Sequence, residues 1–261
     1  MFPRGALIYL TNACNLNCSH CGVVNNDCPE YMSKECFYET ISVLKEKKCY
    51  VVAISGGDPI LHPDLFEFLK QIRANKMLPV LGLSGVNLNK EQIAKLANAG
   101  LGCIQVSLDG SNEKTNEVFR GPGTYNEIVN NIKRFRESGI NVNLAICLCK
   151  ENIEEFIPLM DLARKLKVYQ LKVQFWEATP QCAIYTELTK EEKRYIKETA
   201  MKYRDEYGMH SWIALDAEYL DDQEAQKKFM VLPNGDVKIN ETAGMLGNIL
   251  FNREDIIRYY E

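Results

Sequence analysis

The chain has 261 residues, of which 46% are hydrophobic and 25% charged, and it carries a formal net charge of -4. This balance permits a sizeable buried core and argues against broad phosphate-backbone binding, so nucleic acid is not an expected partner. No apolar run reaches the roughly 18 residues of a spanning helix, and the opening MFPRGALIYL is too short and too soon interrupted for a secretory signal, which reads as a cytoplasmic protein without a membrane partner.

In chain order, short strand-like runs stand at 6–10, 50–55, 78–84, 103–108, 141–147 and 169–175. Between them lie amphipathic stretches near 33–47, 64–75, 90–99, 125–138 and 152–166, with apolar residues three and four apart. Ser33 is placed to cap the first of these helices, and Gly100 and Gly139 follow helical runs where a left-handed cap is expected. Repeated strand-helix units predict a parallel sheet, either open and doubly wound or curled into a barrel. After about residue 176 the rhythm changes to a helix at 189–207 and a hairpin in FMVLPNGDVKI at 229–239, whose Pro-Asn-Gly-Asp makes the turn. The expected division is a core at 1–180 and a small C-terminal α/β appendage at 181–261.

Ten cysteines are too sparse for a small disulfide scaffold and suit reduced thiols with a metal site. Three of them, Cys14, Cys18 and Cys21 in TNACNLNCSHCG, follow the first strand at C-x3-C-x2-C spacing, where a loop can fold three soft thiolates around one volume. A cubane held by three thiolates keeps one iron open for a substrate or cofactor. A structural zinc site completed by His20 or Cys28, in a protein of interaction rather than turnover, satisfies the same spacing. Gly56 and Gly57 follow a strand, where backbone carbonyls can approach a ligand, although a plain turn closed by Pro59 fits them too. Ser84, Ser107 and Asp109 end strands at the carboxyl edge, where barrels and open sheets build their sites.

The cysteine loop, then ISGGDP at 54–59, LGLSG at 81–85 and QVSLDGSNEKTNEVFRGPGTY at 105–125, in this order, resemble the radical S-adenosylmethionine (radical SAM) superfamily from residue 6 to about 176. The resemblance implies a partial (β/α)6 TIM-type barrel holding one [4Fe-4S] cluster, whose open iron is chelated by the amino and carboxylate groups of S-adenosylmethionine. One electron, with a flavodoxin or ferredoxin as the expected donor, then cleaves the sulfonium, and the 5'-deoxyadenosyl radical abstracts hydrogen from substrate. Gly56, Gly57 and Asp58 are implied to receive the ammonium group; Asp58 stands where Glu is commoner in the family, with the same charge and a shorter reach. Ser84, Ser107 and Asp109 suit the ribose hydroxyls, and Gln174 faces cofactor or substrate. Arg120 resembles the arginine that pairs with the cofactor's carboxylate, a use suited to a guanidinium fork, while a solvated surface arginine fits the sequence equally well.

The segment 229–249 resembles the appendage of SPASM-type members of the superfamily, but the cysteines that bind auxiliary clusters there are absent, and none follows Cys182. Many such relatives modify ribosomally made peptides, which implies a peptide substrate, by epimerisation or a carbon-centred crosslink, ahead of a small-molecule metabolite. The chain begins a few residues before its first strand, so leader recognition is expected from a separate binding protein or from the barrel itself. Cys182, in the loop after the sixth strand, resembles in placement the hydrogen-donating cysteine of radical SAM peptide epimerases; an inert packing residue is the alternative. Cys147, at the end of the fifth strand-like run, and Cys149 just beyond it are read as packing residues.

Overall fold

The computed structural model describes residues 2–178, 184–207, 228–239 and 244–260, and the main chain of 213–215. Six strand-helix units come first: β1 (Gly5–Thr11), α1 (Lys34–Glu46), β2 (Val51–Gly56), α2 (Leu65–Ala74), β3 (Leu78–Leu83), α3 (Lys90–Ala97), β4 (Cys103–Ser107), α4 (Glu113–Arg120), α5 (Thr124–Glu137), β5 (Val142–Leu148), α6 (Phe156–Lys165) and β6 (Gln170–Phe175). Then follow α7 (Lys190–Tyr207), β7 (Ile213–Leu215), β8 (Phe229–Val231), β9 (Asp236–Lys238), β10 (Met245–Asn248) and α8 (Arg253–Tyr260).

Two-residue alternation shapes this sheet. Ala6, Ile8 and Leu10 of β1 are buried under the helices, as are Val52 and Ile54, Ile104 and Val106, and Leu171, Val173 and Phe175 on later strands. Each helix supplies the matching apolar stripe, including Phe37 and Leu44 of α1, Phe68 and Ile72 of α2, and Ile132 and Phe135 of α5. The residues in between, of opposite parity, face the interior of the curve. Strands β1 to β7 pair in parallel in chain order, as right-handed crossovers require of consecutive strand-helix units. The two ends of the sheet, β7 and β10, do not meet, which gives a partial barrel with an open side.

The expected caps have clear geometry. Ser33 accepts the Cys36 amide at 3.1 Å. Gly139 (φ 79°) closes α5 in a Schellman arrangement, with Gly139 N–H donating to Arg136 O and Ile140 N–H to Phe135 O. Helix α4 is not anticipated by periodicity, because its two turns, EKTNEVFR, are mostly polar and bury only Asn116, Phe119 and Arg120.

The C-terminal strands join the same ten-stranded sheet. Strand β8 pairs in parallel with β1, and the hairpin continues antiparallel through β9 to β10. Phe2, Phe229 and Tyr260 cluster beneath this junction, and the Arg253 guanidinium bridges Glu39 and Glu46 of α1. Among the described residues, no helix is long and apolar enough to cross a membrane.

The Phe37–Phe68 stack, with centroids 3.9 Å apart in a fully buried setting, fastens α1 to α2. Replacing Phe68 by Ala is expected to destabilise the fold by about 3–5 kcal/mol, read as a lowered urea midpoint at unchanged slope.

Candidate active site

The loop after β1 is held open by its own polar residues. Thr11 Oγ1 donates to Glu30 O and accepts from Ala13 N–H, while Asn12 and Asn26 accept the amides of Glu30 and Cys14. Met32 N–H returns to Leu10 O, so the loop leaves and rejoins the sheet at one place. Cys14, Cys18 and Cys21 sit partly buried on it and line a single cavity. Leu16 N–H points at Cys14 Sγ and Val23 N–H at Cys21 Sγ, each at 3.4 Å, contacts that favour thiolate sulfur. Burial, with smaller contributions from Asp58 and the neighbouring thiols, pushes the Cys14 thiol up to about 12, and burial with Asp109 and Cys21 raises Cys18, so a metal must displace the protons when it binds.

Among the described residues, no three His, Cys, Asp or Glu side chains stand close enough to share one metal ion. The donors suggested for zinc are also drawn elsewhere: Cys28 is exposed, and His20 Nε2 lies 3.5 Å from Asp109 Oδ2. Burial lowers the His20 imidazole from its usual value, against the pull of the Asp109 carboxylate. Three thiols of one loop opening into one cavity, two of them receiving amide donors, fit a cubane cluster better than a closed tetrahedral ion.

The glycine pair does its work through contact with this loop. A Cβ on Gly56 would stand 2.1 Å from Thr11 O, and one on Gly57 would stand 2.1 Å from Ala13 O. The main chains are stitched there by Gly57 N–H to Thr11 O and Asp58 N–H to Ala13 O, both at 2.7 Å. Asp58 is 1% exposed and turns its carboxylate inward, where it accepts from Ile60 N–H, from Ser84 N–H and Oγ, and from Asn15. Burial pushes that carboxyl upward in spite of these donors.

A second buried carboxylate organises the opposite wall. Asp109 Oδ1 accepts Cys147 N–H at 2.9 Å and Oδ2 lies 2.7 Å from Arg120 Nη2. Asn116 and Asn152 bond the Asp109 main chain, and both side chains of the ion pair are nearly dry. Ser19 ties the cysteine loop to the end of α4 through Phe119 O, and to the segment between β6 and α7 through Tyr185 Oη at 2.6 Å. Arg120 thereby borders both Cys18 and the cavity, and its Nε has no protein partner among the described residues.

The cavity itself encloses about 420 Å³ above the inner face of the sheet. Of the residues expected from sequence, Cys14, Cys18, Cys21, Gly56, Gly57, Ser84, Ser107, Arg120 and Gln174 line it. Asp58 and Asp109 stand behind that wall and hold Ser84 and Arg120, respectively. Cys182 lies outside the described residues. Sequence reasoning passed over Tyr9, Ser55, Gln105 and Lys172, which also line the cavity, as does Cys147, which was expected to be a packing residue. The available signal was parity: each lies an even number of residues from another inward position on its strand. Cys149, beyond the end of β5, packs with Phe119 and Trp176 as expected of a packing residue.

A second cavity of about 410 Å³ lies across β1, between the cysteine loop and the β8–β9 hairpin, and shares Tyr9, Gly22 and Val23 with the first. Removing Asp109 as Ala is expected to cost about 3–5 kcal/mol, measured by denaturant unfolding, because Arg120 would be left buried without its counter-charge. Gly57→Ala is expected to lower the iron bound after anaerobic reconstitution while Gly139→Ala, far from the loop, leaves it at the parental level.

Residues 8–163 match the model of the radical SAM superfamily. The chain is 31% identical over 179 residues to an AdoMet-dependent heme synthase of Methanosarcina barkeri, covering 66% of this chain and 50% of that protein. It is 27% identical over 204 residues to the mycofactocin maturase MftC of Mycobacterium ulcerans, covering 72% of this chain and 55% of that protein. The chain thus spans about half the length of these relatives. Its fold superposes on Streptococcus suis SuiB bound to S-adenosylmethionine with a TM-score of 0.82 at 20% identity, over 100% of this chain and 66% of that one. It also superposes on anSMEcpe with bound AdoMet with a TM-score of 0.74 at 15% identity, over 95% and 78%. The family match runs from β1 into α6 and takes in the cysteine loop, the glycine turn and the Asp109–Arg120 wall, and the chain belongs to the radical SAM superfamily.

Proposed function

We propose that this chain holds a [4Fe-4S] cluster through Cys14, Cys18 and Cys21 and uses it to cleave S-adenosylmethionine and take a hydrogen atom from a peptide. The observation that carries the reading is the convergence of three thiols and the inward polar side chains of the strands on one cavity. When bound, the cluster and S-adenosylmethionine supply a reducing electron and a primary carbon radical, and the protein supplies position and exclusion of water.

In this reading the main chain at Gly56 and Gly57 receives the cofactor's ammonium group, and Arg120 faces its carboxylate. Ser84, Ser107 and Gln174 border the nucleoside. Asp58 and Asp109 are positioning residues: one fixes the Ser84 hydroxyl and the other holds the Arg120 guanidinium. The electron comes from a flavodoxin or ferredoxin. The β8–β9 hairpin corresponds to the appendage of SPASM-type enzymes without its metal, and Cys182 remains the proposed hydrogen donor for an epimerisation.

The peptide reading draws support from the relative named a mycofactocin maturase, from the fold shared with SuiB, solved bound to the precursor peptide SuiA, and from the second cavity, which extends the space beyond one small metabolite. A second reading, a small-molecule substrate, draws on the relative named a heme synthase.

Anaerobically reconstituted protein is expected to be brown, to carry about four irons per chain and to release 5'-deoxyadenosine on reduction. Replacing Cys14, Cys18 and Cys21 by Ala should abolish both iron and product. Colourless protein retaining one zinc per chain after reconstitution would overturn the reading. Intact-mass spectrometry in heavy water separates the substrate classes: a mass shift or deuterium uptake on a candidate peptide supports the first, and turnover of a metabolite alone supports the second.

A further inference from the structure

We infer that Gly82 is a specificity-determining residue: the side chain it lacks opens a slot in the barrel floor that takes an aliphatic group of the substrate. Gly82 stands inside β3, between β2 and β4, where glycine weakens a strand and marks a close approach by a ligand or another main chain. Neither of the usual structural reasons for glycine holds there. Its φ lies outside the left-handed region, and among the described residues the nearest neighbours of a Cβ would be Ile54 O and Ser55 Oγ, at an ordinary 3.6 Å. Gly56 and Gly57, by contrast, each have a carbonyl oxygen 2.1 Å from where a Cβ would stand. What Gly82 faces is the cysteine cavity, whose wall it forms together with Val80 and Ser84 of the same inward parity.

The slot lies deeper than the residues assigned to the cofactor. Gly82 comes two residues before Ser84, about 7 Å further into the barrel. Beneath it Leu7, Ala53 and Val80 form one row across three paired strands, and all three line the cavity. These apolar side chains are only half-buried, whereas Ile8, Val52, Ile54 and Leu81 on the opposite face of the same strands are 1% exposed or less. Apolar surface left open at the bottom of a cavity favours whatever apolar group covers it. The inference rests on the cofactor reading above, under which the polar ends of S-adenosylmethionine go to Gly56, Gly57 and Arg120 and leave the floor to the substrate. Gln105, paired with Gly82 across β3 and β4, gives the slot one wall that can hydrogen-bond a neutral amide. Two sources carry this chemistry: an aliphatic side chain of a peptide, and the aliphatic arm of a small metabolite.

The test uses reconstituted holoenzyme loaded with S-adenosylmethionine, with binding read by anaerobic calorimetry. Two probe pairs are titrated: a capped pentapeptide with leucine at its centre against its alanine twin, and free 4-methylpentanamide against propanamide. One aliphatic probe is expected to bind about tenfold tighter than its short twin, the effect of burying about two methylene groups. That preference should vanish in G82V, whose branched side chain fills the slot, while affinity for S-adenosylmethionine stays unchanged. The urea midpoint of G82V should equal or exceed the parental one, because valine suits a strand better than glycine. The pair that shows the preference names the source. The inference is overturned if neither aliphatic probe is bound in preference to its twin, if G82V keeps the preference, if G82V loses affinity for S-adenosylmethionine, or if its urea midpoint falls, which would give Gly82 a packing role instead. Failure of the wild-type protein to bind S-adenosylmethionine at all would strike the cofactor reading itself, and so is distinguishable from failure of the role given to Gly82.

Discussion

Two carbonyl oxygens at the end of β1 occupy the places where side chains of Gly56 and Gly57 would stand. This contact presses the exit of β2 onto the root of the cysteine loop and seats three thiols over the mouth of the barrel. Everything else in the site is referred to that seat. Ser84 is reached through Asp58, which itself hangs from the glycine turn, and Ser19 carries the far end of the loop across to α4. A side chain at either glycine would have to push β1 and β2 apart, and with them the parallel ladder they share.

Buried charge on the cavity wall is settled by pairing. Arg120 is dry but paired with Asp109, whose remaining oxygen and main chain are bound by Cys147, Asn116 and Asn152. Such a pair contributes little net stability against an apolar replacement, but it holds a guanidinium in one orientation.

The apolar periodicity made most of the fold legible. The strands and helices of the core stand within a few residues of their expected places, because each buries one face against a single partner and so repeats at 2.0 or 3.6 residues. Helix α4 was hidden by its polar composition, and β10 and α8 by their brevity. The site was legible where chemistry demands a residue type at fixed spacing, as with Cys14, Cys18 and Cys21. It was less so where one polar residue stands in a strand. Tyr9, Gln105 and Lys172 share the parity of the cavity-facing positions, yet parity does not say which face of a strand is empty space and which is core.

By itself, the sequence determined the strand-helix order, the thiol triad and the glycine turn, since these depend on neighbours close along the chain. It also placed Asp58 and Asp109 near the site. Only the tertiary structure decided that both carboxylates stand behind the cavity lining and hold Ser84 and Arg120, because their partners come from separate strand-helix units. The same holds for the hairpin near the C-terminus, which extends the barrel's own sheet by pairing β8 with β1 across more than two hundred residues of chain. It joins the β1 edge of the parallel run and not the β7 edge, a choice settled between elements far apart along the chain.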